Sequence, residues 1–172
     1  QERDFAAGTL TREVVAVGRS ARRRSLERSS PEDTRRIAAA MAQVRITALA
    51  ERDIATLSGG ERQRTHIARI IAQDADIIVM DEPTNHLDIG HQLAALKLLR
   101  QLAHDEGRTV LVALHDLSLA AHWADHAAVL LGGRLEVCGP PREVLSPELI
   151  ERCFGVSSRW IQLDGTERLV IG

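Results

Sequence analysis

Two short apolar runs, Ile77-Ile78-Val79-Met80 and Val110-Leu111-Val112-Ala113-Leu114, constrain this 172-residue chain more than any other feature. Both are continuous rather than alternating and largely β-branched, which predicts strands covered on both faces, as in a parallel sheet. Between them Ile89, Leu93, Leu96 and Leu99 fall on one helical stripe, with Gly107 as its terminator. Strand, helix, strand is a βαβ unit and sets an α/β class. Hydrophobic residues at 44% and charged residues at 27% fit a packed globular domain and exclude disordered and fibrous chains.

Local signals organise the rest. Ser30-Pro31-Glu32-Asp33 reads as a helix start, with the helix running through Ile37 and Met41 to about Val44. A second start, Ser58-Gly59-Gly60-Glu61, is followed by Ile67, Ile70 and Ile71 at helical spacing. Residues 126–131 and 134–139 flank Gly132-Gly133 as a hairpin, and residues 160–171 turn at Asp164-Gly165 as a second one. Pro140-Pro141 and Ser146-Pro147 open short helical turns. Residues 18–30 carry Arg19, Arg22, Arg23, Arg24 and Arg28 among serines. With Glu27 interrupting, no aromatics interleaved and a net charge of -2, this reads as a solvated connection between helices rather than a phosphate-binding arm. The same charge gives no pull toward nucleic acid or anionic lipid. The longest apolar runs reach only a few residues, too short to span a membrane, and no secretion signal is recognisable. Cys138 and Cys153 suggest a reducing compartment and buried inert thiols; His122 and His126, without a third ligand, read as ordinary residues.

Three constellations carry chemistry. Asp81-Glu82 puts two carboxylates at the carboxyl end of a strand, where ligands bind in open α/β sheets; one suits a hard divalent cation, the other a water to be polarised. Ser58 with the amides of Gly59 and Gly60 can form an anion site at a helix start, or an ordinary capping box with Glu61. The acid Glu82, 24 residues on (82 minus 58), and Arg62-Gln63-Arg64 favour the anion. His115-Asp116 follows the second strand, where a neutral imidazole can donate to a phosphate oxygen.

Leu57-Ser58-Gly59-Gly60-Glu61-Arg62-Gln63-Arg64 resembles the signature motif of ABC transporter nucleotide-binding subunits. Residues 77–83 resemble their Walker B motif with its catalytic glutamate, Thr84-Asn85-His86-Leu87-Asp88 their D-loop, and His115 their switch histidine. Gln1 falls where the family's Q-loop glutamine stands. Residues 114–121, with Gly139-Pro140-Pro141-Arg142-Glu143-Val144-Leu145, look like the ATPases of iron-siderophore, haem and cobalamin importers.

The resemblance implies a partial P-loop NTPase fold, mainly a parallel sheet with a helical signature subdomain. It divides the chain into 1–74 (Q-loop end and helical subdomain), 75–156 (the Walker B and switch-histidine half of the core) and a 157–172 extension. It implies an ATPase using ATP and Mg²⁺. Asp81 and Gln1 would hold the metal, Glu82 would act as general base, and His115 would sense the γ-phosphate. Ser58, Gly59, Gly60 and Glu61 would serve nucleotide bound by a second ATP-binding subunit, and Asp88 would organise that dimer. The partners would be transmembrane permease subunits at the cytoplasmic face of the membrane, with no nucleic acid. One departure stands out: the only lysine, Lys97, precedes Leu98, so G-x-x-x-x-G-K-[ST] is not within these residues. The chain therefore looks like a fragment beginning mid-domain, inactive alone, with one edge of the 110–114 strand unpaired and its apolar neighbours uncovered. Two rival readings are a soluble ABC-type ATPase acting on ribosomes or DNA, and a non-catalytic regulatory subunit.

Overall fold

The computed structural model describes residues 5–20, 30–85 and 87–172. The chain divides into two units, Gln1–Leu111 and Val112–Gly172.

The first unit opens with three mutually packed helices, α1 (Thr11–Ser20), α2 (Pro31–Gln43) and α3 (Gly59–Gln73). The helix start expected at Ser30-Pro31 is formed, with the proline in the first turn of α2, and Asp33 completes a reciprocal capping box with Ser30. Short 3₁₀ turns at Thr47–Leu49 and Ile54–Thr56 connect α2 to α3. Val14 and Val15 of α1 and Ile67 and Ala68 of α3 are almost wholly buried. Arg19, read from sequence as part of a solvated arginine stretch, is instead buried at 6% exposure. It falls on the inward face of α1, which runs on through Ser20; residues 21–29 of that stretch lie outside the described residues.

β1 (Ile77–Asp81), α4 (Ile89–His104) and β2 (Thr109–Ala113) follow, and β1 and β2 form a two-stranded sheet. The helix stops at a cap on Asp105, so Gly107, at φ 66°, lies beyond its end rather than terminating it. The strands depart from the expected two-sided cover. Ile78 and Met80 are buried, but Ile77, Val79 and Leu111 are 61%, 70% and 55% exposed. Among the described residues β2 pairs with β1 alone, as expected of an unpaired edge, and nothing covers that second face.

In the second unit, α5 (Leu117–Trp123) leads to the antiparallel hairpin of β3 (Ala127–Leu131) and β4 (Arg134–Gly139). Gly132 and Gly133 both take positive φ in its two-residue turn, as a primed turn requires. After α6 (Pro141–Val144) and α7 (Pro147–Phe154), β5 (Ser158–Leu163) and β6 (Thr166–Ile171) form a second antiparallel hairpin through Asp164-Gly165. Val129, Val144, Leu145, Ile150 and Leu169 make this unit's core. Trp160 closes it, donating Nε1–H to the Leu145 carbonyl at 2.9 Å beneath the Arg142 guanidinium. Cys138, expected to be buried, is exposed.

Candidate functional site

Ser58 caps α3 in extended conformation (φ −63°, ψ 161°). Its Oγ accepts the Glu61 N–H at 3.3 Å, and Glu61 Oε2 accepts the Ser58 N–H at 2.8 Å. The capping box weighed against the anion site is thus formed. The Ser58 N–H, then the Ser58 hydroxyl, hold the Glu61 carboxyl below its usual range, so Glu61 is committed to the helix start. The first two amides of the helix, those of Gly59 and Gly60, have no acceptor inside the helix by its geometry. Helix start and dipole together make these groups suited to an anion.

Asp81 ends β1 exposed, and Glu82 follows half-buried at φ 47°. That left-handed backbone costs an L residue roughly 1–2 kcal/mol. The turn is secured by the Asn85 N–H, which bonds the Glu82 carbonyl at 3.2 Å, while Asn85 Nδ2 donates to Glu82 Oε2. The next two carbonyls are held from two helices. Gln63 of α3 donates Nε2–H to the Pro83 oxygen at 2.6 Å, and Gln92 of α4 to the Thr84 oxygen at 3.1 Å. Sequence reasoning missed Asn85, Gln63 and Gln92 as supports, although Gln63 and Asn85 stand inside the signature-like and D-loop-like motifs.

Asp88 caps α4, accepting the His91 N–H at 2.9 Å on Oδ1 and lying 2.7 Å from His91 Nδ1 on Oδ2. These bonds, backbone first, hold its carboxyl below the usual carboxylate range. His115 belongs to the second unit, exposed in the segment between β2 and α5. The following Asp116 caps α5 by accepting the N–H groups of Ser118 and Leu119 at 2.8 and 3.0 Å. Gln1, and His86 of the D-loop-like segment, lie outside the described residues. Among the described residues no three His, Cys, Asp or Glu side chains gather as a metal cage. The Asp81 carboxylate still suits Mg²⁺, a hard ion that keeps several waters and takes one or two carboxylates beside substrate phosphates. No helix among the described residues is long and apolar enough to cross a membrane.

The ABC transporter family profile matches residues 3–85. The chain is 48% identical over 143 residues to the hemin import ATP-binding protein of Nocardia farcinica, covering 83% of this chain and 49% of that protein. The ferric enterobactin transport ATP-binding protein of Escherichia coli is 41% identical over 150 residues, covering 87% of this chain and 55% of that one. The solved structure of an inward-facing metal-chelate type ABC transporter superposes with a TM-score of 0.89 at 27% identity, over 100% of this chain and 69% of the other. The chain belongs to the ABC transporter ATPase family. Its α/β fold is part of the ABC ATPase, P-loop NTPase fold. An ATP-binding cassette dimer solved with ADP and phosphate after hydrolysis is similar over 77% of this ABC ATPase chain, at a TM-score of 0.65 and 28% identity. The chain spans about half the length of the curated relatives it matches, 49% and 55% for the two above.

Proposed function

We propose that this chain is part of the ATP-binding subunit that energises an importer of a metal chelate such as siderophore-bound iron, haem or cobalamin. One observation carries the reading of the site. Within a single unit, a helix start suited to anions, at Ser58–Gly59–Gly60, is tied through Gln63 to the segment that follows the Asp81-Glu82 doublet. The substrate class is supported by relatives described as hemin, ferric enterobactin and cobalamin import subunits.

In this reading Glu82 takes a proton from the attacking water, its carboxylate steadied by Asn85. Asp81, with Gln1, would hold Mg²⁺ directly or through water; the ion would neutralise phosphate charge. Ser58, Gly59 and Gly60 donate to nucleotide held by a second ATP-binding subunit, Glu61 keeping their helix start formed, and Asp88 lies at that interface. His115 donates to the terminal phosphate. Positioning and charge neutralisation supply most of the catalysis of phosphoryl transfer. Residues 1–74 form the Q-loop end and signature subdomain, 75–156 the hydrolytic half of the core, and 157–172 an extension. Permease subunits at the cytoplasmic face of the membrane receive the motion.

The test uses the assembled transporter whose ATP-binding subunit carries this sequence. Glu82→Gln should abolish hydrolysis while ATP-dependent association of the subunits persists; turnover at the unsubstituted rate would overturn the assignment. The 172 residues alone, which hold no Walker A motif, should show no micromolar affinity for Mg-ATP in a titration.

A further inference from the structure

A Cβ built on Gly60 would stand 3.1 Å from Cγ, Cδ2 and Cε1 of His91 alike. Equal distances to three ring atoms place that position over the face of the imidazole, not at its edge. The ring is held in that orientation, because Nδ1 lies 2.7 Å from Asp88 Oδ2 while Asp88 Oδ1 accepts the His91 N–H at 2.9 Å. His91 stands in the first turn of α4, and Gly60 in the first turn of α3. A flat side chain, anchored through the cap of one helix, thus packs against the tip of another.

We propose that His91 is a positioning residue for the Gly59–Gly60 tip: its imidazole, oriented by Asp88, is the platform that fixes where those two amides stand. This rests on the reading of the tip as a phosphate contact and deepens it. Glycine at position 60 is demanded by the ring beneath as well as by any phosphate above. Donors stabilise developing charge only when held in place before the charge appears, and misplacement by about 1 Å can cost on the order of a hundredfold in rate. Ser58 and Gly59 are exposed, so support for the tip must come from its packed side, where His91 lies. The same contact joins Asp88 to the signature helix within one chain.

Gly60→Ala, His91→Ala and the double variant of the full chain test the contact. With His91 present, the added methyl must displace a ring anchored on Asp88, and the melting temperature falls. In the His91→Ala background the methyl has room and gains alanine's helix preference, so the same substitution raises it. Equal shifts in both backgrounds overturn the proposal. In ¹⁵N–¹H spectra His91→Ala should move the Gly59 and Gly60 resonances, whereas His104→Ala at the far end of α4 should not; unmoved glycine resonances overturn it. In the assembled transporter His91→Ala should lower kcat about tenfold with KM for ATP within about twofold, because the tip acts on the transition state. Unchanged kcat overturns the positioning role. Unimpaired turnover in Ser58→Asp would instead remove the reading of the tip as a phosphate contact, while the stability cycle between Gly60 and His91 would still stand.

Discussion

Arg19 Nε lies 2.8 Å from Asp33 Oδ1, and this buried ion pair joins α1 to the capped start of α2. Arg19 Nη1 also donates to the Ala72 carbonyl at 2.9 Å, near the end of α3, so one guanidinium ties all three helices. The Arg19 bond, then the Ser30 backbone N–H, holds the Asp33 carboxyl down to about 2 from an ordinary 3.8.

A depressed carboxylate stabilises the fold above its unfolded value and loses that contribution as pH falls through the folded one. The urea midpoint of the chain should therefore drop between about pH 4 and about pH 2, and Asp33→Asn should flatten that limb. Parallel acid limbs for the two proteins would dismiss the pair as a contributor. At neutral pH Arg19→Ala should be less stable than the parent, since it removes the buried guanidinium that donates to both the Asp33 carboxylate and the Ala72 carbonyl.

Gly18, one residue before Arg19, faces α3 at closest approach. A Cβ there would lie 2.1 Å from the Arg69 carbonyl oxygen, a backbone atom that no rotamer can move aside. Gly18→Ala must spread α1 from α3 and should cost about 1–3 kcal/mol, despite alanine's better helix propensity. A denaturant midpoint at or above that of the parent would contradict the close crossing.

Ser58 has two jobs that substitution can separate. Ser58→Ala removes the cap and should destabilise the chain by about 1 kcal/mol. Ser58→Asp keeps a good capping side chain, so stability should be near the parent's, but it sets a carboxylate against any phosphate at the helix tip. Hydrolysis by the assembled transporter should fall more with Asp than with Ala. The reverse order would leave Ser58 as a cap alone.

Val79, 70% exposed in the middle of β1 beside exposed Ile77, predicts self-association of the isolated chain. Val79→Thr keeps a β-branched side chain for the strand while reducing that apolar surface. Light scattering at increasing concentration should show weaker association for the variant. Equal association would place the sticky surface elsewhere.

Features decided within a few residues were legible before any coordinates. Ser30 with Pro31 signals a helix start, and Ser58 with Glu61 a capping box, because donor and acceptor lie three positions apart on the same turn. Gly132-Gly133 and Asp164-Gly165 signal hairpins because their positive φ values suit few other residues. Of the candidate site, the sequence marks Ser58, Asp81, Glu82 and Asp88 by motif and places each at an element's end. It does not mark their supports, because Gln63, Gln92 and His91 meet their targets only after α3 and α4 have packed.

What these residues determined alone is therefore the helix starts at Ser30 and Ser58, the strands and helix of the βαβ unit, the two hairpin turns, and the order of chemistry-bearing groups along the chain; α1, α5 and the capping by Asp88 and Asp116 are not marked. Tertiary structure decided which neighbours distant residues would have. It buried Arg19 out of an arginine-rich stretch, brought Gly18 against the Arg69 carbonyl, and laid the His91 ring beneath Gly60. It also left Ile77 and Val79 open on one face of a strand whose continuous apolarity suggests cover on both. The physical reason is range: caps and turns close within one turn of backbone, whereas burial and cross-helix contacts depend on which surfaces the assembled elements present to one another.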